Sequence, residues 1–225
     1  MDKQMYQRLQ AHMLHFMADS AHDCQHVYRV LYAALEIAAT QEGVDSDVLI
    51  AACLLHDIGR DKQNADPTLC HALEGSKMAH TILCEEGWEN EKAQHVVNCI
   101  ATHRYRSDNP PKSLEAKILF DADKLDVTGA IGVARTLLYE GRHGEALYNV
   151  DAQGDVLDGQ VQQAPSFFRE YHFKLKGVYD GFYTAYAAQI ASQRQGIMTA
   201  YYQNLLAEVR DTQMRGKKHL QEALD

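Results

Sequence analysis

Only four prolines interrupt this chain of 225 residues. Pro67, Pro110, Pro111 and Pro165 each sit in a polar stretch that reads as a connection. Strand-like alternation of period two is scarce. No apolar run approaches the roughly 20 residues of a membrane span. The five cysteines, at 24, 53, 70, 84 and 99, are odd in number and contain no CxxC pair. Most lie in apolar helical surroundings, which fits reduced thiols and argues against a disulfide framework. The first 17 residues contain no unbroken apolar segment of the secretory kind, so a cytoplasmic protein with no membrane partner is expected. Basic residues are also in short supply: 22 Lys and Arg against 31 Asp and Glu give a net charge of −9. That removes the global footprint of a nucleic-acid binder. An acidic enzyme acting on phosphates needs local positive charge, and a bound divalent cation is one source of it.

What is present is helical. Hydrophobic residues make up 46% of the chain, enough for a packed core, and they recur at spacings of three and four. The spacing predicts helices at about 2–18, 21–42, 46–58, 69–86, 90–104, 112–122, 124–140, 166–184 and 186–210. Gly43 ends the second, Asp45 or Ser46 caps the third, and Gly59 is positioned to stop it in the left-handed conformation. The glycine-bearing polar stretch 141–165 reads as a long loop, holding a short hairpin or lying over a pocket as a lid. The expectation is one all-α domain over 1–225, with a core at about 20–140 and C-terminal helices at 166–212. There is no internal repeat.

The stretch AACLLHDIGRD (51–61) poses the chemical question, because an apolar helix ends in adjacent His56 and Asp57. Neighbours on a regular helix point about 100° apart, whereas at a helix end both side chains can reach one ion. His26 lies upstream in HDCQHVYRV, and FDADKLD (120–126) adds acidic residues downstream. Two imidazoles and two carboxylates suit Mn²⁺, Fe²⁺, Co²⁺, Ni²⁺, Zn²⁺ or, less well, Mg²⁺. A His–Asp dipeptide is a frequent chance event, and buried His–Asp hydrogen bonds are common.

In order and spacing, SAHDCQHVYRV, ACLLHDIGR, HALEGSKMAHTIL, IATHRYR and ILFDADKLDVTGAIGVAR resemble the HD superfamily of metal-dependent phosphohydrolases. The likeness is to small bacterial stand-alone members and runs to about Arg194. It implies His26, His56, Asp57 and Asp123 as ligands of one divalent metal, Mn²⁺ first among the candidates. In family members with two metals, extra histidines bind the second, which makes His71, His80 and His103 candidates by order. Acidic residues after HD activate water in some members; here Arg60 stands nearer, so Asp61, Glu74 and Asp126 are alternative acid–base groups, with His103. Lys124, Arg104, Arg106 and His22 are candidate contacts for a phosphorylated or nucleotide substrate. Arg29 reads as a structural bridge to an acidic partner. The aromatic run YDGFYTAY (179–186) offers stacking surface, though such rings more often belong to a core. The implied activity is hydrolysis of a phosphate ester or anhydride. A di-iron oxygenase and a metal-stabilised nucleotide-binding module without turnover are the alternatives.

Overall fold

A computed structural model describes residues 1–17, 24–104, 109–161 and 164–225. Its helices are α1 (Lys3–Met17), α2 (Cys24–Ala38), α3 (Ser46–Leu55), α4 (Arg60–Ala65), α5 (His71–Glu85), α6 (Asn90–Ala101), α7 (Leu114–Leu125), α8 (Gly129–His143), α9 (Phe167–Phe173) and α10 (Ala185–Leu224), with a 3₁₀ turn at Leu175–Gly177. Among the described residues there are only isolated bridges, Val150 with Val156 and Ala146 with Ser166, and no strand. The protein is all-α, as its periodicity predicts. It divides into two compact units, Met1–Asp126 with Phe182–Ala187, and Val127–Gly181 with Ala188–Asp225.

The first unit is built around α3. Val48, Leu49 and Ala51 through Leu55 are buried, and a helix apolar all round must be sheathed on every side. It packs against α1, α2, α5, α6 and α7. Asp45 caps it, accepting from the backbone N–H of Asp47 at 3.0 Å and of Val48 at 3.1 Å. The cap is itself held, because buried Glu115 of α7 accepts from the Asp45 N–H at 2.9 Å. The helix therefore ends at a set depth in the core, and the residues just after Leu55 are presented there.

Several expected boundaries move. The third helix stops at Leu55 instead of residue 58. Gly59 is not left-handed but sits at φ −85°, where it opens α4. Its lack of a side chain serves a close approach: a Cβ there would lie 2.3 Å from the His71 carbonyl oxygen and 2.4 Å from the Gly75 nitrogen. The α4 segment, RDKQNA, has no apolar residue beyond its last alanine, so no periodicity marks it. The second helix ends at Ala38 and the chain turns left-handed at Gly43, φ 78°.

The second unit has its own core of Val133, Val156, Phe167, Phe168, Tyr171, Leu175, Met198 and Tyr202, with the Tyr171 and Tyr202 rings stacked at 3.9 Å. The helix expected over 166–184 is interrupted. The backbone leaves helical geometry at Lys174, φ −133°, and turns left-handed at Gly181, φ 75°. Phe167, Tyr171 and Leu175 keep the helical period across that break, so spacing could not locate it. The final helix runs to Leu224 rather than 210. Within the long loop a short hairpin does form: the Leu157 N–H donates to the Asn149 carbonyl at 2.9 Å and the Asp151 N–H to Asp155 at 3.0 Å. Arg210 of α10 donates to the Val156 carbonyl at 3.2 Å and ties the hairpin down.

Candidate metal centre

Five segments of the first unit deliver side chains to one buried point. His26 comes from the first turn of α2 and His56 from the residue capping α3. Asp57 comes from the turn after it, in which the Arg60 N–H donates to the Asp57 carbonyl at 3.0 Å. His71 opens α5, and His103 lies two residues beyond α6. Asp123 lies in the last turn of α7.

All four imidazoles are turned the same way. Nδ1 of His56 lies 2.8 Å from the Cys53 carbonyl oxygen, and that of His103 2.6 Å from the Ile100 carbonyl. His26 Nδ1 is 2.7 Å from Asp126 Oδ2, and His71 Nδ1 is 2.5 Å from Gln63 Oε1. Each of these oxygens accepts, so Nδ1 carries the hydrogen and the Nε2 lone pair is left for the interior. Asp126 is fixed in turn by Arg29, whose Nε and Nη2 donate to its two oxygens at 2.7 and 3.0 Å. Orientation of a ligand imidazole through its second nitrogen is the usual support of a metal site.

The Nε2 atoms gather around Asp57. Its Oδ2 lies 3.5 Å from His26 Nε2 and 3.6 Å from His56 Nε2. His26 Nε2 is 3.4 Å from His56 Nε2 and 3.3 Å from Asp123 Oδ1. On the other side, Asp57 Oδ1 lies 3.5 Å from His71 Nε2 and 3.6 Å from His103 Nε2, which are 3.3 Å apart. Two groups with metal-ligand spacing result: His26, His56 and Asp123, and Asp57, His71 and His103. Asp57 stands between them with one oxygen toward each.

The electrostatics fit a cation. Asp57 Oδ1 is buried and has no hydrogen-bond partner, a costly state for a carboxylate oxygen unless a positive centre compensates it. Burial opposes charge on Asp57, but Arg60, His56, His103 and His26 outweigh it and hold its carboxyl well below the usual range. Asp123 is lowered as well: burial works against this, and His26 prevails. Burial pulls His26 down, yet hydrogen bonds to Asp123, Asp126 and Asp57 raise it to about 10. These carboxylates demand positive charge among them. Burial keeps the His56 and His71 imidazoles neutral, at about 4 and about 2, with Arg60 also acting on His71. Neutral nitrogens beside ionised carboxylates form a competent donor set for a divalent transition metal. The side chains of His26, His56, Asp57, His71 and His103 are at most 2% exposed, whereas that of Asp123 is 24% exposed. The cluster reaches solvent at Asp123.

The remaining expected site residues fall differently. Asp126 is buried, with its carboxylate engaged by His26 and Arg29. Glu74 is ion-paired to Lys62 and Lys77 at 3.3 and 2.6 Å. Asp61 is exposed in the first turn of α4. Arg104 Nη1 is 3.6 Å from the Cys70 sulfur. His80 belongs to neither donor group and lies 3.8 Å from the Cys84 sulfur. The Lys124 Nζ lies over the rings of Phe182 and Phe120, at 4.8 and 5.6 Å. His22 and Arg106 lie outside the described residues. Two contributors escaped sequence reasoning. Arg60 donates to Asp57 Oδ2 at 2.7 Å; its place three residues after Asp57 was the available signal. Gln63, which holds His71, sits on the unmarked helix α4 and had none.

Residues 24–128 match the HD domain family. YpgQ of Bacillus subtilis is 29% identical over 194 residues, 84% of this chain and 85% of that one. Its structure in complex with ADP superposes with a TM-score of 0.66 at 26% identity, covering 92% of this chain and 96% of that one. An HD-superfamily hydrolase of Bacillus thuringiensis superposes with a TM-score of 0.67 at 27% identity, covering 92% and 97%. The 3′-5′ exoribonuclease YhaM of Halalkalibacterium halodurans is 33% identical over 117 residues, 45% of this chain and 36% of that one.

Proposed function

Because this chain carries an HD domain and stands among HD-superfamily hydrolases, we propose that it is a divalent-metal-dependent phosphohydrolase acting on a phosphate ester or anhydride of a small nucleotide. One observation carries the reading: Asp57 presents one oxygen to His26 and His56 and the other, orphaned, to His71 and His103. The ADP bound by YpgQ supports a nucleotide substrate, with Mn²⁺ first among the metals.

In this reading His26, His56, Asp57 and Asp123 hold the cation, which supplies a Lewis acid for a phosphoryl oxygen and a water of lowered pKa. The chain's own groups do the rest. Asp126 and Arg29 keep His26 in the ligating tautomer. Arg60 holds Asp57 ionised, and Lys124, beside Asp123, counters negative charge on the phosphate oxygens. His103 is the candidate proton donor to the leaving oxygen. If Asp57, His71 and His103 held a second cation, His103 would serve as a ligand instead, and that cation would supply further Lewis acidity.

The test is a screen of phosphorylated metabolites and nucleotides against chelated protein resupplied with Mn²⁺, Mg²⁺, Co²⁺ or Ni²⁺, reading phosphate and pyrophosphate separately. Release from at least one nucleotide is expected. The shared Asp57 also favours a di-iron oxygenase as the second reading. Two irons per chain on anaerobic metal analysis, with oxygen uptake and no phosphate release from any substrate, would establish that alternative and end the first.

A further inference from the structure

We infer that the segment Phe182–Thr184 forms the wall of the substrate site against which a nucleobase stacks, with Lys124 beside it as the phosphate contact; this deepens the nucleotide reading above and rests on it. The segment is fastened to α7 two residues from the exposed ligand candidate. Asp121, fully buried, accepts from the Tyr183 N–H at 2.9 Å and from the Thr184 N–H and hydroxyl, both at 2.7 Å. Those bonds also start α10, and anchoring a helix would need no more than that. The rings around them call for a further account. Tyr183 is 44% exposed and its ring stands perpendicular to that of Phe120 at 5.2 Å, so a large part of its surface is open to solvent. Phe182 lies 4.8 Å from the Lys124 Nζ, a distance at which an ammonium is attracted to a ring and loses its freedom to wander.

Position gives this arrangement its use. Lys124 directly follows Asp123, the one member of the donor cluster that reaches solvent. Phe120, which Tyr183 meets, lies one turn before Asp123 on α7, so the carboxylate, the held ammonium and the exposed ring belong to the last turns of one helix and the segment fastened to it. A nucleotide carries the matching sequence of groups: a phosphate chain and then a flat base. Stacking accepts any base, since every base has a π face, so the wall predicts preference for nucleotides over bare polyphosphate with little discrimination among bases.

The experiment uses the full-length chain loaded with Mn²⁺ and compares wild type, Tyr183→Ala and Tyr183→Phe. Calorimetry measures binding of an α,β-methylene nucleoside triphosphate and of inorganic tripolyphosphate. In wild type the nucleotide binds more tightly. In Tyr183→Ala the ratio of the two affinities falls by about 10-fold or more, and Tyr183→Phe restores it, because stacking needs the ring and not the hydroxyl. A wild type that binds nucleotide no tighter than tripolyphosphate, or an unchanged ratio in Tyr183→Ala, overturns the inference. Phosphate release by wild type is read separately. Binding with the expected ratio but no release supports the wall and rejects the hydrolase.

Discussion

Two oxygens of one residue, Asp57, face two different sets of imidazoles, and the neighbouring residues are explained by keeping that arrangement in place. Asp126 shows this most clearly. Its position one turn beyond Asp123 made it a candidate acid–base group, but its carboxylate is occupied by the His26 Nδ1–H and by Arg29, which suits orientation rather than proton transfer. Asp126→Asn is expected to lower metal affinity by about 10–100-fold, read by metal competition on the purified protein. Unaltered affinity with a lost limb of the pH–rate profile would return Asp126 to the acid–base role. His103 is tested by counting. As a ligand with His71 and Asp57, His103→Ala takes the metal content from two per chain toward one; as a proton donor it leaves the content alone and lowers kcat by about 10²–10⁴-fold. A variant normal in both respects would exclude His103 from the site.

At the scale of elements, the site depends on how closely α5 approaches the turn after α3. Gly59 and Gly75 face one another across that contact. A Cβ on Gly59 meets backbone atoms of α5 at 2.3 and 2.4 Å, and backbone cannot rotate away as a side chain can. Gly59→Ala is expected to cost about 1–3 kcal/mol, or about 2–12 °C in Tm, measured by thermal melting. Because His71 is the first residue of the displaced helix, metal binding should weaken as well. Gly141→Ala in α8 is the control, since nothing lies within 4 Å of its added Cβ. If both variants melted alike, packing at Gly59 would not be the cause. The caps of α3, Asp45 and behind it Glu115, were partly legible, since Asp45 precedes an apolar run. Helix α4 was not, because a six-residue polar turn carries no period.

At the scale of the whole molecule, the described helices include none long and apolar enough to cross a membrane, and against a net charge of −9 the guanidinium groups of Arg60 on Asp57 and Arg29 on Asp126 supply local positive charge at the cluster. The molecule's stability should depend on pH through a group remote in sequence from the metal cluster. Glu140 of α8 is buried and neither of its carboxylate oxygens has a hydrogen-bond partner. Burial raises its pKa to about 7, Glu145 and Glu170 add to the rise, and Lys174 opposes it. The folded protein therefore holds a proton there that the unfolded chain, near 4.5, gives up. This contribution is fully present below about pH 4.5 and is lost as pH rises through about 7. Glu140→Gln, uncharged throughout, should raise Tm at pH 8 by about 2–4 °C per kcal/mol recovered and have little effect near pH 4.5. Melting curves of the two proteins that keep a constant separation across this range would show that Glu140 does not titrate as described.

Sequence alone determined the all-helical class and the order in which chemistry-bearing residues appear, because apolar period and local spacing are one-dimensional properties. It singled out His26, His56, Asp57 and Asp123 by motif, and an apolar helix ending in a His–Asp pair already showed that polar groups were being carried into a core. Only the tertiary structure decided which of the later histidines accompany them. His71 and His103 converge on Asp57 while His80 does not, although all three stand between the His–Asp pair and Asp123 in the chain, because only the packing of α5 and α6 on α3 selects the face that looks inward. The same holds for Gln63 and Asp126, whose roles are hydrogen bonds to partners 8 and 100 residues away. Direction and distance of that kind arise when helices pack, and no pattern along the chain records them.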